Sequence, residues 1–201
     1  MAVDSYMYFM DYQGNYLMSE SQVKLSKTVD PDGIIAPFLA AFNSKGGAAQ
    51  NCGLFEVEDY SFDVEQTLNI GSQSSGAGAG KITFNPFSIT RKIDVASTIF
   101  FQNSCSGKSF KQVGLGLRKS SGTGAAGAMF LAFTFKLVAV KTMSWAHDDE
   151  SPKETVTFDY GGMVIQYAQQ KPDGTFWPAD AKGWNRVQNI SDDAPANTTI
   201  V

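Results

Sequence analysis

The sequence predicts a mainly β fold: an antiparallel β-barrel with one flanking α-helix and a short helical insertion. Apolar residues recur with a period of two over most of the chain, the pattern of half-buried strands. The 19 glycines and 15 phenylalanines are plentiful, and long runs of Ala, Leu, Glu and Lys are missing, which favours strands and turns over helices. About seven or eight strands follow one another at hairpin-like spacing with no βαβ rhythm, so the sheet is expected to be antiparallel and closed or nearly closed.

In chain order, a strand from Tyr6 to Met10 leads into a turn at Gln13-Gly14-Asn15 and a second strand near Tyr16 to Lys24. Residues 27–53 read as an insertion. In it Pro37 starts a short helix bearing Ile35, Phe38, Leu39 and Phe42, and Gly46-Gly47 end it. Phe55 and Val57 share one parity, then Tyr60, Phe62, Val64, Leu68 and Ile70 share the other. That slip predicts a β-bulge near Asp59. The run from Gly71 to Gly80 has the composition of a flexible loop. The strand from Lys81 to Arg91 changes phase at Pro86, which cannot donate to a ladder.

The spacing then predicts the principal helix. Asp94 is its N-cap and Gly107 its stop, with an apolar face made by Val95/Ile99, Ala96/Phe100 and Phe101/Cys105. Val113, Leu115 and Leu117 alternate with Gly114, Gly116 and Arg118 as a strand. From Met129 to Trp145 strict alternation, with Phe133, Phe135, Leu137 and Ala139 on one parity, again argues for a strand. Another covers Thr155 to Gln169, its phase broken at Gly161-Gly162. Beyond it the chain reads as loop. Residues 1–190 form one domain, and residues 191–201 a flexible C-terminal tail.

Charged residues make up 18% of the chain, against about 25% in an average soluble domain; a surface this poor in charge implies a partner over part of it. The net charge of −4 and the lack of a basic stripe remove the driving force for nucleic-acid binding. The N-terminus shows no secretory signal, and no apolar run is long enough for a transmembrane helix. The chain is expected to be made and folded in the cytoplasm, with Cys52 and Cys105 as free thiols.

No motif supplies chemistry. Gly76-Ala77-Gly78-Ala79-Gly80-Lys81 lacks the first glycine and the Ser/Thr of a phosphate loop. Gly122-Thr123-Gly124-Ala125-Ala126-Gly127 has dinucleotide spacing, but a strand pattern follows where a helix is needed. The single histidine, His147, lies in an acidic turn with no GxSxG elbow to serve it. Neither that residue nor Asp148-Asp149-Glu150 has the spaced ligands of a metal site. Glu56, Glu58, Asp63 and Glu65 read as a solvated or pore-facing row. Phe176, Trp177 and Trp184 read as aromatics that pin a loop. No catalytic residue, cofactor or metal is expected.

Several blocks, in order, resemble the Hcp (haemolysin-coregulated protein) family, the tube proteins of type VI secretion. They are Gly-Ala-Gly-Lys-Ile-Thr-Phe at 78–84, Phe-Ser-Ile-Thr-Arg-Lys-Ile-Asp at 87–94, Ser106-Gly107-Lys108 after the helix, and the strand ending Leu117-Arg118-Lys119. Val164-Ile165-Gln166-Tyr167, Gln169 to Gly174 and Gly183-Trp184-Asn185 complete the set, which covers roughly residues 55–190. The resemblance implies a homo-hexameric ring around a lumen. It implies rings stacked into a tube, sheath and spike proteins as partners, small effectors as cargo, and secretion without a signal peptide. A closing ring needs a heterologous contact, and stacking needs a second surface. The expected contact residues are Gly71, Ser72, Gln73, Ser74, Ser75 and Gly76 in the glycine-rich loop, with Ile35, Phe38, Leu39 and Phe42 in the insertion. Without the resemblance, the residues also fit a monomeric or dimeric β-sandwich that binds carbohydrate through Trp177 and Trp184, or an enzyme of unrecognised type using His147.

Overall fold

The first strand, β1 (Val3–Met10), is buried on both faces: Met7 and Phe9 point into one core, Tyr6 and Tyr8 into another. A strand with two buried faces must lie between two layers, and the rest of the chain supplies them. The computed structural model describes residues 3–23, 25, 34–44, 52–67, 82–119, 128–147, 151–173 and 175–193. After β1 come α1 (Ala36–Asn43), β2 (Phe55–Glu56), β3 (Asp59–Ser61), β4 (Val64–Gln66), β5 (Ile82–Phe84), β6 (Phe87–Lys92) and α2 (Val95–Ser106). They are followed by β7 (Ser109–Lys119), β8 (Met129–His147), β9 (Pro152–Tyr167), β10 (Asp180–Asn185) and β11 (Ile190–Ser191).

All the pairings are antiparallel. One path runs β11-β10-β9-β8-β7-β1-β2, and β6 joins the first half of β9 while carrying β3 on its other edge. The segment from Phe55 to Ser61 brings the ends of this sheet together. Val57 N–H donates to Ser5 O at 3.2 Å on β1, and the next amide, that of Glu58, donates to Thr90 O at 3.0 Å on β6. The chain changes strand partner between consecutive residues, and this is the physical content of the phase slip predicted near Asp59. Pro86 falls in the break between β5, which pairs only with β4, and β6, which belongs to the barrel wall.

The first core fills the barrel: Phe87, Phe135 and Phe158 stack in series, with centroids 4.2 and 4.8 Å apart. Phe100 of α2 enters the barrel end and meets Phe9, Phe55, Phe110 and Phe158. The second core lies on the outer face of β1, β7 and β8, where α1 seats Phe38 and Ala41 beside Tyr6, Tyr8, Met129 and Ala132. Gly114 and Gly116 of β7 therefore do not face water. A Cβ at Gly114 would stand 2.2 Å from Cε1 of Tyr8, and one at Gly116 would stand 2.6 Å from Cζ of Phe38. A glycine in a strand here marks another layer approaching the backbone.

Several expectations need correction. The stretch from Tyr16 onward is no strand; Met10↔Tyr16 and Ser19↔Cys52 are isolated bridges. The alternation in β8 does not run unbroken, because Leu137 adopts φ +49°. From there Val138 and Val140, not Leu137 and Ala139, pack on the first core. The loop expected after β9 contains β10, registered from Asp180↔Tyr167 to Asn185↔Gly162. It was hidden because Asp180-Ala181-Lys182-Gly183-Trp184-Asn185 holds one large apolar side chain, Trp184, too few to show a period of two. At the start of the stretch 191–201, Asp192 N–H donates to Gly183 O at 3.0 Å; residues 194–201 lie outside the described residues.

The packing at Gly114 makes a direct prediction. Gly114→Ala should cost about 1–3 kcal/mol through overpacking against Tyr8, read as a lower denaturant midpoint at unchanged slope. A variant as stable as the parent would show that Tyr8 is not held against β7.

Candidate functional site

The run Phe87-Ser88-Ile89-Thr90-Arg91-Lys92 alternates, so Arg91 points the same way as Phe87 and Ile89, into the barrel. It is 3% exposed. A guanidinium buried this deeply must be neutralised and hydrogen-bonded. Arg91 pairs with Asp94, lies 3.6 Å from Glu154 Oε1, and sits 4.8 Å from the ring centroid of Phe55 and 5.6 Å from that of Phe100. Asp94 is also the N-cap of α2. Its Oδ1 accepts from Ala96 N–H at 2.8 Å, and its own N–H donates to Ser97 Oγ at 3.2 Å, closing a capping box. Ser97 Oγ in turn donates to Glu154 Oε1 at 2.8 Å. The start of α2 is tied to the chain after β1 as well: Glu20 N–H donates to Asp94, and Val95 N–H donates to Glu20.

Glu154 is 1% exposed. Burial raises its pKa, and the Ser97 hydrogen bond, the Arg91 charge and the Trp145 side chain pull it part of the way back. The cluster ties β6, β9 and the start of α2 together. His147 lies elsewhere, exposed at the end of β8 opposite Pro152. Among the described residues no group of three His, Cys, Asp or Glu is placed to hold a metal.

The surface carries the other distinctive chemistry. On α2 only Ala96, Ser97, Phe100 and Asn103 are buried, so the predicted apolar face is only partly used. Val95 and Ile99 are exposed, and Phe101 at 54% exposure meets Trp145 at 53%, with ring centroids 6.3 Å apart. Further exposed apolar residues lie along β9 to β11: Ile165 and Tyr167 on one face of the sheet, Ile190 on the other, in register with Asn185 and Gly162, and Val187 in the turn between β10 and β11. Isolated exposed apolar side chains are ordinary, but clustered ones mark interaction sites.

The residues expected at subunit contacts divide. Gly71, Ser72, Gln73, Ser74, Ser75 and Gly76 lie outside the described residues, as do Gly46-Gly47 and residues 122–127. Ile35 and Phe38 are buried in the second core of their own chain, while Leu39 and Phe42 are half-buried. Glu56 accepts from Ser21 Oγ at 2.7 Å and Glu58 pairs with Lys153 at 3.0 Å. Trp184 packs on the first core and Phe176 on the second. Trp177 is exposed under the Lys171 ammonium, 4.4 Å from its centroid. Sequence reasoning missed Arg91 and Glu154; the available signal was a charged residue on the buried parity of each strand.

Fold and site together define an antiparallel β-barrel protein with a buried ion cluster at one end and exposed apolar residues on α2 and β8. A family model described as the type VI secretion system effector Hcp matches residues 45–167, more than half of the chain, and the chain belongs to the Hcp family. Protein hcp1 of Pseudomonas aeruginosa is 29% identical over 113 residues, 55% of this chain and 68% of that protein. Among solved structures, Hcp1 of Salmonella typhimurium matches with a TM-score of 0.59 at 19% identity, covering 96% of this chain and 100% of that one. Hcp1 of E. coli EAEC 042 matches with a TM-score of 0.61 at 14% identity, covering 92% and 99%.

Two predictions test the cluster. Arg91→Met should cost about 3–5 kcal/mol, because Glu154 is left buried without its cation; a melting temperature within a degree or two of the parent would show that the cluster does not hold the barrel end. The second concerns pH. The folded state binds a proton on Glu154 more tightly than the unfolded chain does. That stabilising difference is therefore complete below the unfolded pKa of about 4.3. It is lost as pH rises through the raised folded value. Stability of the parent minus that of Glu154→Gln should fall across this window, and a flat difference would mean that Glu154 is solvated.

Proposed function

We propose that this protein is a structural, non-enzymatic subunit of the type VI secretion tube. Six copies form a ring around a lumen, and rings stack into a tube that a sheath expels behind a spike. Small effectors ride in the lumen, and the subunit leaves the cell with the tube. The observation that carries this reading is membership of the Hcp family, with Hcp folds matching nearly the whole chain. The surface supports it: clustered exposed aromatics and aliphatics on a chain with only 18% charged residues are what a subunit that buries itself in copies would carry. Trp184 is partly packed in the first core, which takes away half of the proposed sugar platform. Among the described residues no helix is long and apolar enough to cross a membrane.

The test is the native mass of the purified protein by light scattering, with negative-stain imaging of the same peak. The expected result is a mass of six chains and annular particles. A monomer at every concentration tested overturns the proposal.

A further inference from the structure

We propose that the ring closes by one specific contact: the distal half of β8, with the exposed face of α2, seats on the β10–β11 end of the sheet in the next copy. This rests on the ring reading above and says which two faces meet.

The first face comes from the ladder. β7 accompanies β8 only as far as Ala139, paired with Ser109, whereas β8 continues to His147. From Thr142 to His147 its other edge pairs with β9. Among the described residues no strand pairs with the free edge of Val140–His147. Nearly all of this stretch is exposed. A strand that presents a free edge and uncovered side chains invites another strand. Beside it stand Phe101 and Trp145, in contact with each other. Trp145 lies opposite Glu154 in the β8–β9 ladder, and its side chain hydrogen-bonds that carboxylate. A pre-positioned exposed tryptophan is the kind of residue that dominates interface energies.

The second face is the far end of the same sheet. β11 is two residues long and pairs with β10 at Trp184 and Asn185, and Asp192 and Asp193 bond to Gly183; among the described residues no strand pairs with the outer edge of Asp180–Lys182. Val187 and Ile190 are the most exposed apolar residues there, at 59% and 51%.

Charge favours joining these two faces rather than like with like. The distal half of β8 carries Lys141 and no acid. In the stretch from Asp180 to Asp193, Asp192 is paired with Lys136 and Arg186 with Asp159, while Asp180 and Asp193 share Lys182, which leaves that exposed pair of aspartates in excess of its cation. Two different complementary faces on one chain make a heterologous contact, the type that closes into rings, whereas a self-complementary face stops at a dimer.

The experiment uses Phe101→Asp on the first face and Ile190→Asp on the second, in full-length chain, with folding checked by thermal melting and mass by light scattering. The parent should form six-chain particles, and each variant alone should be a folded monomer. An equimolar mixture should give a two-chain species and nothing larger, because only one intact pair of faces remains. Variants that assemble like the parent, or a mixture of folded variants that stays monomeric, overturn this contact while leaving the ring standing. A parent that is itself monomeric overturns both. Should Phe101→Asp fail to fold, Lys141→Glu and Asp180→Lys replace it. Each alone should weaken assembly at least several-fold, and the two in one chain should restore it; no rescue overturns the pairing.

Discussion

The buried guanidinium of Arg91 is the constraint on which the rest of the barrel end depends. Taking an ion of this kind out of water costs several kcal/mol unless anions and hydrogen bonds surround it, so carboxylates must reach Arg91 from the structure around it. Asp94 comes from three residues along the chain, and Glu154 from directly across the β6–β9 ladder. Because Glu154 is also registered with Trp145 on β8, the row Trp145, Glu154, Arg91 crosses three strands on one face. A one-residue slip of the β6–β9 ladder would send Glu154 to the opposite face and leave the guanidinium with Asp94 as its one carboxylate, and a slip of β8–β9 would take Trp145 away from Glu154. The cluster thus sets strand register, and through Asp94 and Ser97 it also sets where α2 begins.

The opposite face of the same three strands shows the complementary chemistry. Ser88 and Thr157 share a hydrogen bond at 2.8 Å, and Thr90 and Thr155 one at 3.2 Å. Hydroxyls on this face need no compensating charge, and cross-strand pairs of this type contribute tenths of a kcal/mol to about 1 kcal/mol each. Residues 87–92 therefore encode two surfaces, a dense ion-locked one inward and a small polar one outward.

Much of this was legible in the sequence. Period-two runs located β1 and the strands from β6 to β9, and Asp94 and Gly107 bounded α2, with Gly107 at φ +69° as a helix stop requires. The rest was not legible, for identifiable reasons. The alternation of β8 predicts inward Leu137 and Ala139, and only the left-handed backbone at Leu137 reverses it. No side-chain pattern announces a positive φ at a leucine. Gly114 and Gly116 look like weak strand positions until α1 is placed above them, a long-range fact. The apolar face of α2 was visible, but periodicity cannot distinguish an apolar residue that packs on its own sheet from one left for a neighbour, and α2 carries both kinds: Phe100 and Phe101 are adjacent, one fully buried and one more than half exposed.

That adjacency bears on how a fold can persist while sequence identity to solved Hcp structures stands at 14–19%. The interior needs volume, parity and one neutralised ion, and aromatic packing of the Phe87, Phe135, Phe158 kind tolerates many substitutions of similar bulk. The exposed residues are under a different requirement. Phe101 and Trp145 contribute nothing to the first core, and in water each is a liability for solubility. Such residues suit a subunit of the proposed ring, which its neighbours would cover. Their cost to the free subunit becomes the driving force for assembly, since the apolar area left exposed by folding is the area still available to be buried. In the proposed ring, folding and assembly are two stages of one process. The ion cluster completes the barrel end, and by fixing Trp145 and the start of α2 it also presents the surface that the monomer leaves uncovered.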